Sequence, residues 1–280
     1  MRKLALAHLT IEEATPAGVV MAAAAAGFTA VGLRLTGFSP DDAGPQIIGD
    51  VHAVRDLRHR LQGEGMQVVT VSAYRLTPSV RASDYGRVFE TCAEIGARTM
   101  LATCFIPDHG RAAALLADIY QEASKVGLRI GLEFFRSSEL KSLAAAEHLR
   151  QQAACENIGH IIDALHLWRA GDTPLDVAQL DARLIYGVQL CDGPMKGPSD
   201  SALRAEIRDR LFPGEGELPL FNLLDAVPQD ITVELEVPRR ALVELSPLER
   251  ARRAYDAGMD YLEAYARQRD RQAASPAGPV

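Results

Sequence analysis

The segment Ile158–His166, with the sequence Ile-Gly-His-Ile-Ile-Asp-Ala-Leu-His, decides the fold. It is a short apolar run that ends in Asp163, and His166 follows three residues later. Such a run is typical of a strand that is buried on both faces, as in parallel sheets. Asp163 is then expected at the carboxyl end of the strand, the edge at which parallel α/β folds hold their functional residues.

Seven other segments repeat this pattern of a short apolar run closed by a polar or reactive residue. They are Leu4–Leu9, Ala30–Leu35, Gln67–Leu76, Thr99–Cys104, Leu128–Phe134, Leu184–Asp192 and Ile231–Val237. The intervening stretches carry helical signals, such as the Pro at the start and the Gly at the end of Pro16–Gly27. Eight strand–helix units without a Gly-rich dinucleotide motif favour a (β/α)8 TIM barrel over a doubly wound sheet.

We therefore predict one α/β domain, a barrel over residues 1–271, followed by a disordered tail at 272–280 that is rich in small residues, Pro and Gly. The net charge of −7 argues against a surface that binds nucleic acid. His8, Glu12 and Glu13 interrupt the apolar N-terminal stretch, so neither a signal peptide nor a membrane span is expected. The four cysteines have no CxxC spacing, which indicates reduced thiols and a cytoplasmic protein.

In a barrel the eight strand ends meet at one mouth, and here they bring several carboxylates together. Packed carboxylates repel one another and lose hydration, and a divalent cation relieves both effects. Carboxylate and amide oxygens suit Mn²⁺ or Mg²⁺, with Zn²⁺ or Co²⁺ as alternatives if a histidine joins them. Arg75 would face this acidic mouth, where it could bind an anionic or polyhydroxy substrate, whereas His8 and Arg34 fit a structural role equally well.

Five sequence motifs resemble those of the xylose-isomerase-like barrels, a family that includes sugar phosphate isomerases and epimerases, ketose 3-epimerases and inosose dehydratase. They are Gly-Leu-Glu at 131–133, Asp-x-x-His at 163–166, Val-Gln-Leu-Cys-Asp at 188–192, Pro-Gly-Glu-Gly at 213–216 and Glu-Leu-Glu-Val-Pro at 234–238. The resemblance extends over almost the whole chain.

The resemblance implies a metal held by a Glu, an Asp, a His and a second Glu at four strand ends. Glu133 and Asp163 match the first two, and Gln189 stands where the histidine is usual. Glu236 matches the second Glu best, with Glu234 as a close rival on the same strand. Because an amide oxygen binds Zn²⁺ less well than imidazole does, Mn²⁺ becomes the first expectation.

The resemblance also implies an enzyme that acts on a small polyhydroxy carbonyl compound through an enediolate, with Glu133 and Glu236 as the acid and base. Return of the proton gives isomerisation or epimerisation, and loss of a β-hydroxyl gives dehydration, so a lyase is the main alternative. A barrel that binds a sugar-like ligand without catalysis, or that partners a catalytic subunit, is a third reading, because Gln189 replaces a usual ligand.

The expected substrate-binding residues share a position at or just beyond a predicted strand end. They are His166, Arg75, His8, Arg34, Asp192 and Glu234. The expected partner is the small-molecule substrate, with no nucleic acid and no membrane, and a homo-oligomer stays an open option.

Overall fold

The computed structural model describes residues 2–37 and 45–274. Eight parallel strands close into a barrel, each strand paired with its neighbours in the chain and the last with the first. The strands are β1 (Leu4–Ala7), β2 (Ala30–Arg34), β3 (Gln67–Leu76), β4 (Thr99–Cys104), β5 (Arg129–Leu132), β6 (Ile158–Asp163), β7 (Ile185–Leu190) and β8 (Val233–Leu235). This order confirms the predicted (β/α)8 TIM barrel.

Helices connect the strands and pack on the outside of the barrel. They are α1 (Pro16–Ala26), α2 (Val51–Gly63), α3 (Gly86–Glu94), α4 (His109–Ser124), α5 (Leu143–Ala153), α6 (Ala164–Ala170), α7 (Pro174–Ala178), α8 (Leu203–Ile207), α9 (Leu220–Ala226) and α10 (Pro247–Ala274). Thr15 caps the start of α1, and Gly27 ends it in the left-handed conformation with φ 107°, as the sequence signals predicted.

One boundary agrees with the sequence-based expectation, and one differs from it. The strand in Ile158–His166 ends at Asp163, whose side chain caps α6, so His166 lies in the first turn of that helix. At the C-terminus, α10 continues through Ala274, three residues into the segment expected to be disordered. Residues 275–280 of that segment lie outside the described residues.

The barrel interior is packed below its mouth. Leu101, Ile161 and Tyr186 form a small apolar cluster inside the barrel. Gly32 leaves room for the carboxylate of Glu234, because a Cβ at this glycine would lie 1.8 Å from Glu234 Oε1. Within residues 2–37 and 45–274, none of the helices combines the length and apolar character needed to span a bilayer.

Candidate active site

Three buried carboxylates converge at the carboxyl end of the barrel. Glu133 directly follows β5, where its backbone N–H donates to Ala102 O of β4 at 3.0 Å. Asp163 is the last residue of β6, and Glu236 follows β8 with its N–H donating to Leu190 O of β7 at 3.2 Å. Each residue is at most 9% exposed, so the strand ends hold all three carboxylates in a low-dielectric environment.

Donor atoms suited to a divalent cation lie together here. Glu133, Asp163 and His166 each offer one ligand atom, and these atoms all lie within 4.8 Å of one another. Gln189 pairs with Asp163 across β6 and β7, and its Nε2 donates to Glu236 Oε1 at 3.2 Å. Its Oε1 is buried and has no hydrogen-bond partner among the described residues. An orphaned amide oxygen beside carboxylates and an imidazole fits a cation site.

A fully buried arginine, Arg210, joins this cluster. Its Nη1 donates to Asp163 Oδ2 at 2.6 Å and lies 3.1 Å from Glu236 Oε2. The backbone holds it in place, since its N–H donates to Pro238 O at 2.8 Å and the next residue forms a bridge with Asp192. The guanidinium can balance one of the three carboxylates, and a divalent cation would balance the other two when all three are ionised.

The environment separates the pKa values of the three carboxyl groups. Burial and repulsion by Glu236 and Asp163 raise the pKa of Glu133 well above its usual range. Burial, partly offset by Arg210, raises the pKa of Glu236 to about 7. Burial acts in the same direction on Asp163, but the charge of Arg210 and the hydrogen bond from the backbone N–H of His166 outweigh it and lower the pKa of Asp163. Carboxyl groups with such different affinities for protons are suited to acid and base roles.

His166 lies beside this cluster with a neutral ring. Burial lowers its pKa to about 4, although Asp163 opposes the effect. The ring packs against Phe135 at a centroid distance of 5.1 Å and lines the cavity described next. This position is compatible with the expected substrate contact and with a metal contact.

A cavity of about 300 Å³ opens above the carboxylates. Glu133, Glu236 and His166 line it from the barrel mouth, and Arg34 and Arg75 line it at the ends of β2 and β3. This volume is at the lower end of the range for small-molecule sites. The cavity therefore brings together five of the residues that the sequence proposed for metal, substrate or proton transfer.

Comparison with known proteins agrees with this geometry. The family model for the xylose isomerase-like TIM barrel matches residues 20–265. The chain belongs to this family. A search of curated proteins gave no significant match.

Solved structures with the same fold include proteins whose names indicate different reactions. The barrel superposes with a TM-score of 0.80 on the IolI protein with a bound zinc atom, at 19% identity, over 94% of this chain and 99% of that one. An L-ribulose 3-epimerase matches with a TM-score of 0.72 at 16% identity, over 100% of both chains. The probable 3-DHS dehydratase AsbF from Bacillus anthracis matches with a TM-score of 0.74 at 12% identity, over 92% of this chain and 98% of that one. These likenesses establish a shared fold.

In this xylose isomerase-like barrel, His8 and Asp192, which were expected to bind substrate, form hydrogen bonds with the backbone instead. Both ring nitrogens of His8 contact backbone, with Nδ1 accepting from Arg34 N at 3.0 Å and Nε2 bonded to Ala14 O at 2.9 Å. The Asp192 carboxylate accepts from the backbone N–H groups of Gly193, Gly214 and Leu218 at 2.8 to 3.0 Å. We therefore assign both residues structural roles, because their polar atoms are already used by the chain.

Glu234 and Glu236, the two candidates for the second Glu ligand of the metal, lie at different depths in the barrel. Glu234 accepts from Thr70 Oγ1 at 2.9 Å inside the barrel, and burial raises its pKa to about 8. It does not line the cavity, whereas Glu236 does. The predicted substrate contact by Glu234 is therefore not supported by its position.

Sequence reasoning missed Arg210. Helix α8 ends at Ile207, and Arg210 lies beyond it, next to the bridge between Leu211 and Asp192. The available signal was its position three residues before the Pro-Gly-Glu-Gly motif at 213–216.

Proposed function

We propose that this barrel is a divalent-metal-dependent isomerase or epimerase that acts on a small polyhydroxy carbonyl compound through an enediolate. The observation that carries the proposal is the buried cluster of Glu133, Asp163 and Glu236 at a small cavity, with the guanidinium of Arg210 in contact with two of the three carboxylates. The fold is shared with isomerases and epimerases, which makes this chemistry the first candidate.

The cation would be held by Glu133, Asp163 and Glu236, with Gln189 Oε1 or the ring of His166 completing the ligand set. When bound, a divalent cation stabilises negative charge on an oxygen of the substrate. We favour Mn²⁺ or Mg²⁺ because oxygen donors predominate, and participation of His166 would favour Zn²⁺ or Co²⁺.

The residues of the chain account for the proton transfers. Glu133 and Glu236 both line the cavity, and we assign them as the base that removes the proton next to the carbonyl group and the acid that returns one. Raised pKa values favour this role, because a carboxyl group that titrates nearer neutral pH exchanges protons more effectively. Phe105 and Phe135 line the cavity with apolar surface, which helps to exclude water.

Solvent exchange tests the proposal. The full-length protein with Mn²⁺ is incubated with a panel of ketoses in D₂O, and NMR follows deuterium entering the carbon next to the carbonyl group. We expect Glu133→Gln to slow this exchange by roughly 10²–10⁴-fold, the usual contribution of a general base. Glu139→Gln is the matched control, because Glu139 follows the same strand outside the cavity. Equal exchange in both variants would contradict the assignment of Glu133.

A dehydratase is the second candidate, because the same enediolate eliminates a β-hydroxyl if one is present and a dehydratase shares the fold. Mass spectrometry separates the two reactions, since elimination removes water and isomerisation keeps the mass. A protein that catalyses neither reaction, shows no exchange and gains no stability from Mn²⁺ would be a non-catalytic binding barrel.

A further inference from the structure

A second cavity lies at the opposite, amino-terminal end of the barrel, and we call it the base cavity. Its volume is about 500 Å³, and its polar and charged wall includes Thr70, Arg98, Arg129, Tyr186, Asp230 and Glu234. The apolar cluster of Leu101, Ile161 and Tyr186 lies between the two cavities, because Leu101 lines the one at the mouth and Tyr186 lines the base cavity. The two cavities are therefore separate spaces.

A glycine and two polar residues keep this end of the barrel open. The interior of a TIM barrel is normally filled by layers of branched apolar side chains. Here Gly187 of β7 lines the base cavity, and a Cβ at this position would lie 2.9 Å from Ile161 Cδ1. Thr70 and Glu234 line the same space from β3 and β8, and both are buried. A polar cavity of this size has the dimensions of a small-molecule site.

Arg129, the first residue of β5, presents a fixed guanidinium to the base cavity. Its Nε donates to Thr99 Oγ1 at 2.9 Å, and its Nη2 donates to Tyr186 O at 3.3 Å. The guanidinium carbon lies 4.1 Å from the centroid of the Tyr186 ring. The third nitrogen, Nη1, donates to no atom of the described residues. A guanidinium that is stacked and hydrogen-bonded in this way offers its remaining N–H groups in a set direction.

Arg98, directly before β4, adds a second guanidinium to the same wall. Its side chain is exposed and forms no ion pair with residues 2–37 or 45–274. Burial lowers the pKa of Arg129, and the charge of Arg98 adds to this effect, so the two cations are close enough to repel each other. A third lining arginine, Arg183, is paired with Asp181. An oxyanion that accepts from both Arg98 and Arg129 would offset their repulsion through charge-assisted hydrogen bonds.

The carboxylates of the base cavity belong to a different side of the barrel. Asp230 precedes β8 and Glu234 lies within it, whereas Arg98 precedes β4. In the closed order of eight strands, three strands separate β8 from β4 in either direction, so the two strands lie opposite each other. A ligand in the base cavity would meet guanidinium donors at one side and carboxyl oxygens at the other. Hydroxyl groups can donate to such oxygens.

We propose that the base cavity is a second binding site, separate from the active site, for a small hydroxylated oxyanion. The ligand is a carboxylate or a phosphate ester whose charged end lies between Arg98 and Arg129 and whose hydroxyl groups face Asp230 and Glu234. This inference does not depend on the proposed function, because the residues assigned to metal binding and proton transfer line the other end of the barrel.

Equilibrium binding of three matched probes tests the inference. Calorimetry on the full-length protein compares glycerol 3-phosphate, glycerate and glycerol, which share a three-carbon hydroxylated skeleton, in Mn²⁺ and in EDTA. We expect at least one anion to bind roughly ten-fold tighter than glycerol, because one charge-assisted contact contributes about that factor. The anion that binds tighter identifies the charged group. Its affinity should be the same in Mn²⁺ and in EDTA, since the base cavity lies away from the predicted metal ligands.

Variants locate the bound anion. Arg98→Ala and Arg129→Gln should each weaken its binding by roughly ten-fold. Arg204→Ala, at the mouth cavity, and Arg252→Ala, on the exposed surface of α10, are the matched controls and should leave the affinity unchanged. Because Arg98 is exposed, its removal should leave the fold intact, and circular dichroism checks this.

Four results would overturn the inference. They are equal affinity for glycerol and both anions, no binding of either anion at millimolar concentration, binding that requires Mn²⁺, and a loss in Arg204→Ala or Arg252→Ala as large as that in Arg98→Ala. Binding that requires Mn²⁺ or Arg204 would place the anion at the mouth of the barrel. Deuterium exchange judges the proposed function separately, so either conclusion can fail while the other holds.

Discussion

Replacing Arg210 with methionine should destabilise the metal-free protein strongly. Its side chain is 1% exposed and that of Asp163 is 0% exposed, so the variant leaves buried carboxylates without their guanidinium. Methionine keeps a long, flexible, apolar side chain in the space, which limits the effect of a cavity. The expected change is therefore mainly electrostatic.

Removing one partner of a buried ion pair typically costs about 3–5 kcal/mol in the free energy of unfolding. Here two carboxylates lose the same cation, because Arg210 contacts both Asp163 and Glu236, so the upper part of that range is expected. For a chain of this size the loss corresponds to a fall in Tm of roughly 10 °C. Excess Mn²⁺ should restore about 2–3 kcal/mol at a hundred-fold excess over its Kd, because a bound cation replaces the missing charge.

Urea unfolding in EDTA and in Mn²⁺ measures both effects. Arg183→Met serves as the control, because the ion pair of Arg183 with Asp181 is exposed and its loss should not be measurable. Asp163→Asn in the Arg210→Met background should recover stability, since it removes one of the uncompensated charges. A loss below about 1 kcal/mol in EDTA would refute the reasoning, because Arg210 would then not balance the buried carboxylates.

Three further predictions concern His8, Gln189 and Asp192. Burial lowers the pKa of His8 from 6.5 to about 4, so its contribution to stability is complete above pH 6.5 and is lost as the pH falls towards 4, by at most about 3 kcal/mol. Urea unfolding of His8→Gln should depend less on pH over this range than that of the parent, and identical pH dependence would reject the assignment. Gln189→His should shift metal preference in calorimetry from Mn²⁺ towards Zn²⁺ and Co²⁺, whereas an unchanged order of affinities would place Gln189 outside the ligand set. Asp192→Ala should cost roughly 2–4 kcal/mol in urea unfolding, because three backbone N–H groups lose a charged acceptor, and a change too small to measure would contradict this structural role.

The barrel was predictable because each parallel strand is buried on both faces and so leaves a short apolar run in the sequence. Helix signals were equally local, as with Thr15 and Gly27 at the two ends of α1. Two short helices, α6 and α9, were missed. In the case of α6, the helix begins immediately after β6, so the strand and helix share one apolar run and no turn residue separates them.

The site was less predictable than the fold, because side-chain direction and depth depend on partners that are distant in sequence. Glu234 and Glu236 are two residues apart, so a strand pattern assigns both to the same face. The register of the barrel places Glu234 deeper in the interior and Glu236 at the cavity. The role of His8 depends on Arg34 N, 26 residues away, and that of Arg210 on Asp163, 47 residues away. The spacing of apolar and polar residues along the sequence does not indicate contacts between residues so far apart.

The Asp192 carboxylate anchors both ends of the loop 193–214 that follows β7. We call this loop the insert and the rest of the barrel the framework. The carboxylate fixes Gly193 at one end and Gly214 at the other, so the residues between them form a closed loop with its own anchors. Arg204 and Arg208, which line the cavity, both belong to this insert, whereas Glu133 belongs to the framework. Part of the cavity wall thus comes from a different segment of the chain than Glu133, one of the two residues proposed for proton transfer. A barrel built in this way can acquire a new substrate by exchanging the part of this loop that lines the cavity, on the condition that the loop keeps Arg210 in contact with Asp163 and Glu236.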